Sequence, residues 1–252
     1  DKAGVTNTLT LLNASAATVD MSLVTNIDKL TISDYAVTSG IDVGISIASY
    51  ASAITIDTSS LDKGEDVTMT GVSAGALTFI GGGGADTVVM SSAATGDNIT
   101  TGSQKTTITA GTNISYLDTI VGGGTDTLAA TALTDVDLSN VSSVEVLNAT
   151  TGATLGSFAD AAGIGTVVAL DNGAIDATTR ANALTVTTFT AQTDTWTGGG
   201  GDDIFAFNST GTAVAADTIA GGLGTNTIII DNESDADAGS VGEATTATLD
   251  AI

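Results

Sequence analysis

The chain has 252 residues, carries twenty-nine Asp and Glu against five basic residues for a formal net charge of −24, and contains no cysteine, histidine or proline. That charge repels nucleic-acid phosphate and anionic lipid surfaces, no apolar run reaches the roughly eighteen residues that a bilayer demands, and the lack of cysteine removes disulfides and thiolate metal sites. A mean hydropathy of +0.34 with 42% hydrophobic residues argues for an ordered, core-forming chain, so what this surface can attract is cations, and bound divalent ions would stabilise the native state by linkage.

Taken in chain order, the segments Thr8–Leu12, Lys29–Ile32, Ala53–Ile56, Val67–Thr70, Thr106–Thr109, Val144–Leu147 and Leu184–Thr187 alternate apolar residues with Thr or another polar residue. That is the period of a strand with one buried face. Met21–Ile32 and Val136–Leu147 resemble each other, each reading as a short strand, an Asn turn, an apolar residue, an acid and a second strand. Helix is expected only at Ser157–Ala162, with Ser157 as cap and Gly163 as terminator. The pattern predicts an all-β chain, a parallel β-solenoid whose coils need neighbours to bury their inward faces. It reads as a solenoid segment over 1–80 that continues over 81–252 with glycine-rich turns, or as one continuous domain. The start at Asp1 without methionine reads as part of a longer polypeptide.

Four glycine-rich turns, each followed by a short apolar strand, carry the chemistry. The first, Gly81-Gly82-Gly83-Gly84-Ala85-Asp86-Thr87-Val88-Val89, fits the nonapeptide G-G-x-G-x-D-x-U-x, and the third, Gly198-Gly199-Gly200-Gly201-Asp202-Asp203-Ile204-Phe205, fits it equally. The second, Gly122-Gly123-Gly124-Thr125-Asp126-Thr127-Leu128, is one glycine short, and the fourth, Gly221-Gly222-Leu223-Gly224-Thr225-Asn226-Thr227-Ile228, replaces Asp by Asn226. Glycines let the backbone turn at positive φ with carbonyls inward, the Asp gives a hard anionic oxygen, and the apolar residue two places on plugs the core. Asp194 and Asp217 stand nine residues before Asp203 and Asn226, Asp118 stands before the second turn, and Asp97 follows the first. With a nonapeptide per half-coil, Asp194 and Asp203 fall in opposite rows and turns on one edge recur about every eighteen residues. The metal candidates are thus Gly81, Gly83, Asp86, Asp97, Asp118, Gly122, Gly124, Asp126, Asp194, Gly198, Gly200, Asp203, Asp217, Gly221, Leu223 and Asn226, strongest at the first and third turns and weakest at Asn226.

These turns resemble the RTX nonapeptide repeats of bacterial proteins exported by type I secretion, and the isolated turns set in Thr/Ala/Gly/Asp-rich β-structure resemble the RTX-type surface-layer proteins. The resemblance implies a right-handed β-roll or β-helix and several Ca²⁺ ions held by Asp carboxylates and glycine carbonyls. It further implies folding after export, where calcium is abundant, a place at the extracellular cell surface, and assembly of copies into a two-dimensional lattice, with cell-surface polysaccharide as a further partner. An adhesin or extender module of a large RTX surface protein is the alternative.

Other features read more plainly. Asp57, Asp62, Asp66, Asp97, Asp135, Asp137, Asp171 and Asp176 suit solvated turns, and Asp97, close after the first turn, is the best extra ligand candidate among them. The cluster Asp231–Asp237 lacks the glycine and distal Glu of an EF-hand loop and reads as a solvated acidic loop. Asn-x-Ser/Thr triplets such as Asn98–Thr100 and Asn208–Thr210 arise by chance in such a composition, and Trp196 sits at a core position. Catalysis is not expected, since there is no His base and no Cys nucleophile, and adjacent Asp202 and Asp203 point to opposite faces of a strand.

Overall fold

A computed structural model describes residues 5–13, 17–34, 40, 42–48, 50–171, 173–188, 193–207, 217–230 and 248–250; the cluster Asp231–Asp237 and the triplet Asn208–Thr210 lie outside the described residues. The fold is a parallel β-solenoid, nearly all strand. It divides into two compact units, Asp1–Leu128 with Asn140–Val144, and Ala129–Ser139 with Glu145–Ile252.

The strands are β1 (Thr8–Asn13), β2 (Ala17–Asp20), β3 (Lys29–Asp34), β4 (Val43–Ser46), β5 (Ile54–Asp57), β6 (Val67–Thr70), β7 (Leu77–Ile80), β8 (Thr87–Val89), β9 (Asn98–Thr100), β10 (Thr107–Gly111), β11 (Thr119–Val121), β12 (Thr127–Ala130) and β13 (Val141–Ser142). There follow β14 (Val146–Ala149), β15 (Gly152–Thr154), helix α1 (Ser157–Ala162), β16 (Thr166–Ala169), β17 (Ala174–Asp176), β18 (Thr185–Thr188), β19 (Thr195–Thr197), β20 (Ile204–Phe207), β21 (Thr218–Ala220), β22 (Thr227–Ile230) and β23 (Thr248–Asp250). In the first unit β1, β3, β5, β7, β9, β11 and β13 form one sheet and β2, β4, β6, β8 and β10 pair in that order in another. In the second unit β14, β16, β18, β20 and β22 pair in order, as do β15, β17, β19, β21 and β23. Each coil therefore gives one strand to an odd-numbered sheet and one to an even-numbered sheet.

Alternation within each strand sends one side chain in and the next out, and parallel register then stacks the inward residues into columns. Leu30, Ile56, Phe79, Ile99, Ile120 and Val141 form one in the first unit. Ala153, Ile175, Trp196 and Ile219 form another in the second, where the Trp196 ring stacks on Phe207 with centroids 5.0 Å apart. Nearly all of these are fully buried, each contributing about 1.5–3 kcal/mol of transfer free energy. The odd and even sheets are what the alternating segments predicted.

Three local expectations are corrected. Coils are longer and less even than eighteen residues: Thr68 pairs with Thr87, 19 residues on, and Lys29 with Thr55, 26 residues on. The first strand expected in each look-alike segment is absent, since Met21–Thr25 is a turn and Asp135–Leu138 a 3-10 helix. Helix α1 forms where expected and ends on Gly163 at φ 93°, but its cap position is Gly156 and not Ser157. Its first-turn N–H groups are satisfied from the 3-10 helix, where Asp135 Oδ1 accepts from Gly156 (2.7 Å) and Ala159 (2.9 Å). A carboxylate supplied from the coil before outcompetes a local serine hydroxyl because it takes two of those N–H groups at once.

Candidate cation-binding corners

All four glycine turns lie at the same kind of corner, where an odd-sheet strand hands the chain to an even-sheet strand: between β7 and β8, β11 and β12, β19 and β20, and β21 and β22. Their stacking differs between units. In the first unit the turn Thr101–Thr106 intervenes, packed against Gly82 on one side and Gly123 on the other. In the second unit the third and fourth turns occupy successive coils, and the Leu223 N–H donates to the Gly199 carbonyl at 2.8 Å.

The reason for glycine here is close approach and not, for most of them, positive φ. Among the motif glycines only Gly222 and Gly224 have positive φ, a correction to the expected role. A Cβ on Gly84 would sit 2.1 Å from the Glu65 carbonyl oxygen of the preceding coil, and one on Gly201 2.4 Å from the Ala183 nitrogen. The leading glycine of a turn also makes room for its own aspartate: a Cβ at Gly198 would lie 2.4 Å from Asp203 Oδ2, and one at Gly122 2.6 Å from Asp126 Oδ2. Glycine spacing thus reports turn-on-turn packing and a folded-back carboxylate together.

The acids form two rows of buried side chains. At the glycine corners, Oδ1 of Asp86, Asp126 and Asp203 accepts the backbone N–H of Val67 (3.0 Å), Thr106 (2.8 Å) and Leu184 (2.8 Å) in the preceding coil. Oδ2 of Asp203 and of Asp126 turns back to accept from Gly199 (2.9 Å) and Gly123 (3.0 Å), and the Thr101 hydroxyl adds a bond to Asp126 at 2.7 Å. Asn226 repeats the outward half, Oδ1 accepting from the Asp203 N–H. At the opposite corner Asp97 accepts from the N–H of Leu77 (2.8 Å) and of Ser91 (2.7 Å), Asp118 from those of Asp97 and Ser115 (both 2.6 Å), and Asp217 from that of Asp194 (2.9 Å). Each of these carboxyls therefore extends the parallel ladder by one bond just before its own strand begins, a role that sequence reading missed. Asp194 and Asp203 do lie at opposite corners, as the half-coil spacing predicted, since they open β19 and β20 respectively.

Two of these groups are left incomplete. Asp86 is only 3% exposed and Asp194 only 1%, yet Asp86 Oδ2 and Asp194 Oδ1 have no hydrogen-bond partner. Burial raises the Asp86 carboxyl to about 6, helped by the charges of Asp66 and Asp126 and opposed by the Val67 N–H. Burial likewise raises Asp194 to about 7, with the charge of Asp217 adding to it and a hydrogen bond from Thr188 opposing. The hydroxyl of buried Thr106, which stands in the coil between Asp86 and Asp126, also lacks a partner. Of the remaining predicted positions, Gly200 donates to the Arg180 carbonyl and Gly83 to that of Leu61. A Cβ on Gly124 would press on Gln104, and the buried Gly221 directs its carbonyl at Gly198. Leu223 is exposed, its carbonyl accepting from the Asn226 amide at 3.2 Å.

Among the described residues no three His, Cys, Asp or Glu side chains converge on a point that could hold a metal ion. A cation at these corners would draw on one or two carboxylates together with backbone carbonyls and hydroxyls, an all-oxygen set suited to a hard ion. The partnerless oxygens of Asp86 and Asp194 fit that requirement.

Fold and corner rows together define a parallel β-solenoid with acid-lined corners. The chain matches no protein-family model, no curated protein and no solved structure. Among the described residues no helix is long and apolar enough to cross a membrane.

Proposed function

We propose that this chain is a calcium-binding structural component of a bacterial cell-surface layer, exported, folded by extracellular calcium, and assembled with further copies of itself. The observation that carries the reading is the buried aspartate with an oxygen that no protein group satisfies, Asp86 in the first unit and Asp194 in the second. An ionised carboxylate buried without a full set of partners costs several kcal/mol unless a counter-charge or a proton joins it. Calcium would supply that counter-charge. In the first unit Asp86 would hold it beside the turn Gly81–Gly84. In the second, Asp203 and Asn226 with the stacked glycine turns, and Asp194 with Asp217 at the other corner, offer the corresponding oxygens.

The role is structural: the chain has neither His nor Cys to act as base or nucleophile, and most of its buried acids accept backbone N–H groups. In low calcium the acids repel and folding is disfavoured; where calcium is millimolar, binding to the native state alone shifts the balance by mass action. Thermal melting followed by circular dichroism in calcium and in chelator tests this. Calcium should raise the melting temperature by ten degrees or more, roughly the effect of a few kcal/mol on a chain of this size. An identical melt in chelator would sink the proposal.

A further inference from the structure

Charge is not spread evenly around the first unit. The loops that carry the chain from the odd sheet to the even sheet hold Asp62, Lys63, Glu65, Asp66, Asp86, Lys105 and Asp126. The loops of the opposite corner are 21–28, Ile47–Ala53, Gly71–Ala76, 90–97 and 112–118, and their only charged residues are Asp28, Asp97 and Asp118, each the last residue of its loop. Asp97 and Asp118 are buried with both oxygens hydrogen-bonded, so the exposed charge of this corner is confined to its first end, where Asp28 closes the first loop and Asp20 precedes it.

These loops stack into one surface. The Tyr50 hydroxyl donates to the Ile27 carbonyl, Ala74 N–H to that of Tyr50 and Ser92 N–H to that of Ser73, and a Cβ on Gly96 would lie 2.3 Å from the Leu117 carbonyl oxygen, so each loop rests on the next. Along it the chain exposes large apolar side chains: Leu23 is 91% exposed, Val72 44%, Tyr116 57% and Leu117 46%. Five coils at the strand spacing make a strip about 19 Å long. At its first end a cleft of about 240 Å³, lined by Ser22, Val24, Asn26 and Tyr50 among others, lies beside Leu23. It is smaller than the ~300–1,000 Å³ of ordinary ligand pockets and suits one side chain. At its other end stand Tyr116 and Leu117.

We propose that this charge-poor edge is the contact surface for a second copy of the chain, related by a two-fold axis so that Tyr116 and Leu117 of each copy meet the cleft of the other. The proposal rests on the reading that the protein assembles with its own copies, and names where. Charge selects the occupant. Two bodies of −24 repel wherever acids face each other, and five basic residues cannot build complementary patches, so the surface on which they can meet is one poor in charge. A knob at one end of a strip and a cleft at the other become self-complementary under a two-fold rotation.

Sedimentation of the full chain in calcium, with melting recorded alongside, tests it. The wild type should dimerise or associate further at concentrations up to about 100 µM, while Leu23→Glu and Leu117→Glu should each weaken association by about tenfold or more with melting unchanged. Ile229→Glu, an exposed apolar position in the second unit, should associate as wild type does. A wild type that stays monomeric, or edge variants that associate normally, overturns the proposal. So does loss of binding to cell-surface polysaccharide in the edge variants with sedimentation unaltered. The contact is built on Leu23, Tyr116 and Leu117 and on no carboxylate, so a melt insensitive to calcium would remove the calcium reading and leave this result standing.

Discussion

Asn226 Oδ1 accepts the backbone N–H of Asp203 at 2.8 Å, which places the fourth glycine turn directly on the third. The amide also donates to the Leu223 carbonyl at 3.2 Å. Replacing Asn226 by Asp keeps the first bond, sets a carboxylate against that carbonyl, and adds a second charge near Asp203. Without calcium, Asn226→Asp should lower stability by about 1–3 kcal/mol. In millimolar calcium the loss should disappear or reverse, because the added carboxylate becomes a ligand. Urea denaturation in chelator and in calcium measures both, and equal losses in the two conditions would count against a cation at this corner.

Glycine at the corners is required by the approach of neighbouring coils. A Cβ on Gly102 would lie 1.5 Å from the Gly82 carbonyl oxygen, a contact that forces one turn off the other. Gly102→Ala should therefore cost about 3 kcal/mol or more, in the range of severe overpacking. At Gly165 an added Cβ meets nothing within 4 Å, so Gly165→Ala should be neutral or stabilising by about 0.5 kcal/mol. Equilibrium unfolding of the two variants compares them; similar effects would show that flexibility and not packing governs these positions.

Asp97, in the second row of the first unit, tests the ladder role apart from any ion. Asp97 takes the N–H groups of Leu77 and Ser91 and the Ser91 hydroxyl, and Asp97→Ala leaves two buried backbone donors unpaired. The expected cost is about 2–5 kcal/mol, the same with and without calcium. Asp97→Asn keeps one acceptor and should lose less. A cost that depends on calcium would mean that Asp97 is a ligand after all.

Acidity should act in opposite directions with and without calcium. Asp86 and Asp194 have native carboxyls raised to about 6 and about 7, well above the roughly 3.9 of an unfolded aspartate, so the native state binds these protons more tightly. In chelator, stability should fall as pH rises from about 4 to about 8 and level off above, where both states have lost the protons. In saturating calcium the slope should flatten or invert, since protons then compete with the ion for the same oxygens. Urea midpoints at pH 5 and 7.5 in both media decide it.

Much of this molecule is legible along the chain because both of its signals are local. Strand alternation at Val67–Thr70 follows from a period of two, and glycine turns at Gly81–Gly84 and Gly198–Gly201 are read directly. Helix α1 was visible too, but its capping partner was not, because Asp135 lies a whole coil away. The same holds for the candidate site. The acids could be named, and even the opposite placement of Asp194 and Asp203 followed from nonapeptide spacing. That Asp97 spends both oxygens on backbone N–H groups, while Asp86 keeps one spare, depends on which turn rests on which.

The sequence by itself determined the strands, the turns, the acid-rich and base-poor balance, and the exclusion of thiol and histidine chemistry. Only the tertiary structure decided the pairing of coils, since coil lengths vary between 19 and 30 residues, from Thr68 paired with Thr87 to Thr218 paired with Thr248, and a single change of length moves every contact at a corner. That pairing separates the first and second glycine turns, stacks the third and fourth, and gathers five charge-poor loops into one edge. Parallel ladders fix neighbours by hydrogen bonds between residues some twenty positions apart, which no local pattern encodes.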